Sequence, residues 1–142
     1  MTLPVFLQHN IPLLALLVLL LIALMCVEFK DSSRGARKLS IQEAIRFMNQ
    51  RKSLVFDLRT LDQFQKGHIA DARHTPPEDL RSAPSTFIKK QDLPILLIDE
   101  HGTQAASTAA LLKTKGYADT CLLEGGMQAW RKENLPLETR TP

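Results

Sequence analysis

Residues 94–117, PILLIDEHGTQAASTAALLKTKGY, hold the pattern on which the fold turns. Ile95, Leu96, Leu97 and Ile98 form an unbroken apolar run, as expected of a strand covered on both faces. Ala105 to Lys115 reads as an Ala/Leu helix, with Lys113 and Lys115 in its last turn and Gly116 as its stop. Asp99 to Gln104 therefore carries the chain from strand to helix in a few residues. Such a loop aims backbone N–H groups at one point beside a helix N-terminus, a ready place for an anion.

The same alternation continues on either side. Upstream, Ser40 and Glu43 form a capping box, and Ile41, Ala44, Ile45 and Met48 follow at helical spacing to a predicted end near Gln50. Leu54 to Leu58 reads as a second buried strand, and a short helix over Leu61 to Lys66 stops at Gly67. Downstream, Asp119 to Leu123 is extended, Gly125-Gly126 turns the chain, and a last helix carries Met127, Ala129 and Trp130. Strand-helix alternation at these lengths predicts an α/β domain over residues 39–142, a mostly parallel sheet with helices on both faces. Ligands of such folds sit at the carboxyl ends of the strands, where Asp57 and Asp99 both fall.

The amino-terminal part follows a different rule. Residues 1–27 contain no Asp, Glu, Lys or Arg. From Ile11 through Leu20 to Val27 run 17 residues without a polar side chain, interrupted by Pro12 alone. As a helix that block spans roughly 26 Å of a hydrocarbon core about 30 Å thick, with Gln8, His9 and Asn10 at one interface. No basic residue precedes it and its exit reads Met25, Cys26, Val27, Glu28, which fits neither a cleavage site nor a lipobox-like signal. An uncleaved anchor over residues 1–29 is expected. Lys30, Arg34, Arg37 and Lys38 follow in a polar segment, residues 30–38, read as a basic juxtamembrane linker. Their position puts the C-terminal domain on the cytoplasmic side and the N-terminus outside.

Charge and composition narrow the function classes. The 142 residues carry 18 Lys+Arg and 15 Asp+Glu, a formal charge of +3, with an isoelectric point of about 9.0. Without the four juxtamembrane bases and Glu28 and Asp31, the domain's net charge falls to +1. The basic character belongs to the lipid-facing flank, and nucleic acid is not an expected partner. An apolar content of 44% excludes disorder, and two Cys exclude a disulfide scaffold.

The residues of the domain resemble the rhodanese-like (sulfurtransferase) family over nearly all of 39–138. The likeness rests on Asp57-Leu58-Arg59 at a strand end, on Phe64 and Gly67-His68-Ile69 with Ala72 after them, and on the loop and helix from Pro94 to Leu112. Gly125-Gly126 with Trp130, and the tail Leu135-Pro136, complete it. With one amino-terminal anchor, the chain looks like the small inner-membrane members found in bacteria. Active members place at the end of the central strand a Cys that carries sulfane sulfur in a cradle of loop N–H groups. The matching residue here is Asp99, with Glu100, His101, Gly102, Thr103, Gln104 and Ala105 completing the loop. Gln104 stands where active members often place Arg, and Ala105 where they often place Ser.

A carboxylate forms no persulfide, so the resemblance implies a site that has lost its sulfur chemistry. Asp99 is read as a built-in substitute for the anion. An incoming sulfur anion about 4 Å from Asp99 and Glu100 would be opposed by about 4 kcal/mol at an effective dielectric near 20. Cys121, inside the extended run 119–123, reads as a small core residue and is the one thiol of the domain that could rescue sulfur relay. An acid-base role for Asp99 with His101 is the other alternative. His68 and His74 lack partners at a ligand spacing, so no metal and no cofactor is expected. Asp57, Arg59 and His68 read as fixing the strand end and its turn. The resulting expectation is a non-catalytic, protein-binding domain at the inner face of the cell membrane, its partner a membrane or membrane-associated protein.

Overall fold

The computed structural model describes residues 3–50 and 52–139, and of residues 3 and 28–34 the backbone alone. It divides into two units, Met1–Arg34 and Gly35–Pro142. The first contains helices α1 (Leu3–His9) and α2 (Ile11–Arg34). Between them Asn10 caps the end of α1, its Nδ2 donating to the Phe6 carbonyl at 2.8 Å. Every side chain from Ile11 to Val27 is exposed, an arrangement that water alone does not favour. Among the described residues, no helix is long and apolar enough to cross a membrane. The bases Lys30 and Arg34 lie outside the described side chains.

The second unit is built on five strands, β1 (Arg37–Leu39), β2 (Leu54–Asp57), β3 (Arg73–His74), β4 (Ile95–Ile98) and β5 (Thr120–Leu123). Their order across the sheet is β1-β5-β4-β2-β3, and every pairing is parallel. β4 lies between β2 and β5 and all four of its residues are buried. Alternation along the strands sends side chains to two cores. Val55, Leu96, Ile98, Cys121 and Leu123 face one, with Phe47 of α3 (Ile41–Gln50), Phe64 of α4 (Leu61–Lys66) and Trp130 of α8 (Gly126–Lys132). Phe56, Ile95, Leu97 and Leu122 face the other, with Leu80 of α5 (Pro77–Ser82), Ile88 just beyond α6 (Pro84–Phe87), and Ala105, Ala109 and Leu112 of α7 (Thr103–Thr114). The expected parallel sheet with helices on both faces is therefore present.

The cap expected at α3 also forms: Glu43 N donates to Ser40 Oγ at 3.3 Å, and Ser40 N to Glu43 Oε2 at 2.9 Å. Residues 30–38, expected as a polar linker, differ. The helix α2 continues to Arg34 and the chain enters the sheet at Arg37, where β1 pairs Arg37, Lys38 and Leu39 with Cys121, Leu122 and Leu123. Periodicity did not signal this strand because its Arg and Lys are exposed and Leu39 alone is buried. Such charged, three-residue strands are typical of sheet edges. β3, α5 and α6 likewise carry no apolar periodicity. For α5 a signal existed: Pro77 at its first position, then Glu78 and Asp79.

Gly126 joins the last helix to the carboxyl edge of the sheet. Its φ is +60°, and a Cβ there would come within 2.7 Å of both the carbonyl carbon and oxygen of Glu100, and nearer still to the Asp99 carbonyl. Gly126→Ala is expected to cost at least about 2 kcal/mol, since both left-handed strain and steric overlap oppose it. Urea denaturation of the variant checks this. A loss below about 0.5 kcal/mol would mean that the loop and α8 can separate freely.

Candidate functional site

The carboxyl edge of the sheet opens into a cleft of about 520 Å3, lined by residues 58–61 and 63, 74 and 76–78, and 99–101 and 103–104. At its floor Asp99 leaves β4 with 4% of its surface exposed. Its Oδ1 accepts a hydrogen bond from Gly102 N, and its Oδ2 accepts from Gln104 N at 2.8 Å and Ala105 N at 3.1 Å. Gly102, at φ +98°, supplies the left-handed turn that swings these donors inward. The carboxylate thus caps α7 from three residues before the helix's own cap position. The place where the loop N–H groups converge is already occupied by a negative group of the chain itself.

The backbone of the same residues is held from the opposite side. Asp99 O accepts from Met127 N at 2.8 Å and Glu100 O from Gln128 N at 3.1 Å, so the carbonyls of the loop cap the first turn of α8. Ala105 is fully buried among the residues around α7. Ala105, where the resemblance places Ser in active members, thus has no hydroxyl to offer the loop and packs its methyl group into the core. Gln104 and Thr103 remain exposed on the cleft wall.

Asp57 and Arg59 form the second fixed part. Arg59 donates from Nε to Oδ1 of Asp57 at 3.0 Å and from Nη2 to Oδ2 at 2.8 Å, with its backbone N also bound to Oδ1 at 3.0 Å. Both side chains are buried. Arg59 Nη2 reaches the Gly67 carbonyl at 2.7 Å, tying the end of β2 to the end of α4. His68 stacks on Phe64 at 3.9 Å between ring centroids and places Nδ1 2.8 Å from the Phe64 carbonyl. His74 Nε2 lies 2.7 Å from the Arg59 carbonyl. Trp130 donates from its indole to the Pro136 carbonyl at 3.3 Å, closing the tail over the core.

Sequence reasoning missed the partners of Glu100. Its carboxylate is bound by Arg131 of α8 and lies 3.7 Å from Arg59 Nη1. Partial burial pushes this carboxyl up, but the Arg131 hydrogen bond and charge, then Arg59 and His101, outweigh burial and hold it below its ordinary value. The repulsion expected from Glu100 is therefore largely cancelled. His101 turns its Nδ1 to Gln128 Oε1 at 3.0 Å, while both oxygens of Asp99 are taken by backbone N–H groups. The two residues are not paired for acid-base work.

Cys121 is 1% exposed in the core shared with Trp130. It pairs with Leu96, three residues before Asp99 and so about 10 Å back along the sheet. It is not among the residues lining the cleft, and neither it nor Cys26 forms a disulfide. Among the described residues no group of His, Cys, Asp and Glu is arranged to hold a metal ion.

Two outcomes follow from this geometry. Asp99→Ala should lose about 1–3 kcal/mol by leaving N–H donors unmatched, and part of that loss should return in sulfate. Urea midpoints of wild type and variant, in sulfate and in chloride at equal ionic strength, check it, with wild type correcting for general salt effects. For Glu100, a folded-state value below the ordinary 4.5 means that its stabilisation is full above that value and vanishes as pH falls through the lower one. Glu100→Gln should therefore weaken the domain at about pH 7, and its deficit against wild type should shrink as acid protonates Glu100 in the folded state, read in the same denaturation assay.

Comparison with known proteins agrees with the fold. The sequence profile described as "Rhodanese-like domain" matches residues 40–133. The chain is 32% identical over 121 residues to "Uncharacterized protein YibN" of Escherichia coli K12, covering 84% of this chain and 85% of that one. It is 30% identical over 105 residues to "Thiosulfate sulfurtransferase GlpE" of Pseudomonas putida F1, covering 72% and 91%. The crystal structure of a rhodanese-related protein from Thermoplasma volcanium superposes with a TM-score of 0.63 at 24% identity, covering 73% of this chain and 99% of that one. With its all-parallel five-stranded sheet and the strand-loop-helix around Asp99, this chain belongs to the rhodanese-like domain family.

Proposed function

We propose that this protein is a non-catalytic, protein-binding member of the rhodanese-like family, held by its amino-terminal helix at the cytoplasmic face of a bacterial inner membrane. The observation that carries the reading is the Asp99 carboxylate filling its own loop. A sulfur carrier needs a thiolate where the amides converge, and a carboxylate there neither takes up sulfane sulfur nor leaves the donors available to an anionic substrate. Tethering then raises the local concentration of the domain near membrane or membrane-associated partners. The anchor is supported by the 17 apolar residues from Ile11 to Val27, by the exposure of all of them, and by the bases that follow. The likeness to YibN spans 121 residues, more than the 108 from Gly35 to Pro142, and so reaches into this segment.

The rival reading is sulfur transfer through Cys121, favoured by the name of the GlpE relatives. Against it stand the burial of Cys121 and its distance from the cleft. Full-length protein assayed with thiosulfate and cyanide should show no turnover above the uncatalysed rate. Intact-mass measurement after sulfur-donor treatment should show no added sulfur on Cys121. Asp99→Cys should gain little activity, because Gln104 and Ala105 remain. Turnover that survives Asp99→Ala and disappears in Cys121→Ala would replace this reading with the relay.

A further inference from the structure

The cleft has two kinds of wall. Leu61, on its rim at the start of α4, is 53% exposed. Within the domain, Leu61 and Leu137 are the described large apolar side chains that face solvent; the others are wholly or partly buried. Pro76 adds apolar surface to the same cleft. Glu78, Asp99 and Glu100 also line the cleft. The nearby guanidiniums are already engaged, Arg59 with Asp57 and Glu100, and Arg131 with Glu100. Four carboxylates against two guanidiniums leave the site with a formal excess of two negative charges. Glu78 is exposed and enters no ion pair among the described residues. An anionic occupant would meet this excess without the amides that Asp99 has taken.

We infer that the cleft receives a short extended segment of a partner protein in which Lys or Arg stands beside apolar side chains. Its apolar groups lie on Leu61 and Pro76, and its cation lies toward Glu78. Complementary charge orients the segment, and removal of the Leu61 surface from water holds it. Basic residues next to apolar ones are the composition of cytoplasmic loops of membrane proteins where they leave the bilayer. This inference rests on the binding-module reading above and supplies the chemistry of the partner.

The test uses full-length protein in phosphatidylcholine nanodiscs, with empty discs as the blank, and fluorescence anisotropy of two labelled peptides. One is Gly-Leu-Lys-Leu-Arg-Leu-Gly; in the other Glu replaces Lys and Arg. The basic peptide should bind at least about tenfold more tightly than the acidic one and weaken as salt is added. Glu78→Lys should lower its affinity about tenfold or more and Leu61→Ser about fivefold. Asp92→Lys, ahead of β4 at the amino edge of the sheet, should leave it unchanged. The inference is overturned by equal or tighter binding of the acidic peptide, by indifference to Glu78→Lys and Leu61→Ser, or by no binding of the basic peptide up to about 1 mM. Thiosulfate turnover by the same samples would defeat the non-catalytic reading whatever the peptides do. An inert sample without charge preference would defeat this inference alone.

Discussion

Two helix amino termini converge on one short loop, and the carboxyl edge of the domain depends on how that loop answers both. The side chain of Asp99 satisfies N–H groups at the start of α7, and the carbonyls of Asp99 and Glu100 satisfy those at the start of α8. Unpaired amides in this place would have to be hydrated or bound by an outside ligand. Here those of Gln104 and Ala105 are met within the chain by charge-assisted hydrogen bonds, and those of Met127 and Gln128 by neutral ones. A buried carboxylate is costly when isolated; three convergent donors make this one tolerable. The close approach that allows the double clamp is set by Gly126, where no side chain can stand.

Arg59 connects this loop to the other half of the edge. The Nε/Nη2 edge of its guanidinium grips Asp57 at the end of β2, Nη2 also reaches the turn after α4, and Nη1 approaches Glu100. Glu100 in turn is bound to Arg131. β2, α4, β4 and α8 thus meet through alternating charges in which each cation has a named partner. A buried pair of this kind contributes less to net stability than its geometry suggests, because both ions lose water. Its effect here is positional: it fixes the cleft's walls relative to one another.

Much of this arrangement is legible in the amino-acid sequence. The unbroken apolar run at 95–98, the compact run at 54–58 around Asp57, the capping box at Ser40 and the stop at Gly116 each reflect a local rule that the structure obeys. Asp99 was legible because it ends a buried strand ahead of a helix, and because the resemblance to the rhodanese-like family put it where active members carry Cys. What was not legible depended on distance in the sequence. Glu100 looked repulsive because Arg131 lies 31 residues away. The burial of Ala105 depends on how α7 packs against the sheet, which no local pattern records. β1 and β3 have three and two residues, too few for periodicity to accumulate, and exist through pairing with β5 and β2.

The position of β1 has a mechanical consequence. The chain enters the sheet through this strand, and its partner in the sheet is β5 alone. Any pull transmitted along the backbone from the amino-terminal side therefore loads a three-residue edge first, where few hydrogen bonds share the stress. β4 and β2, paired on both sides, stand behind it. The outermost strand acts as a sacrificial element: it can peel and re-seat while the clamped loop and its cleft keep their shape.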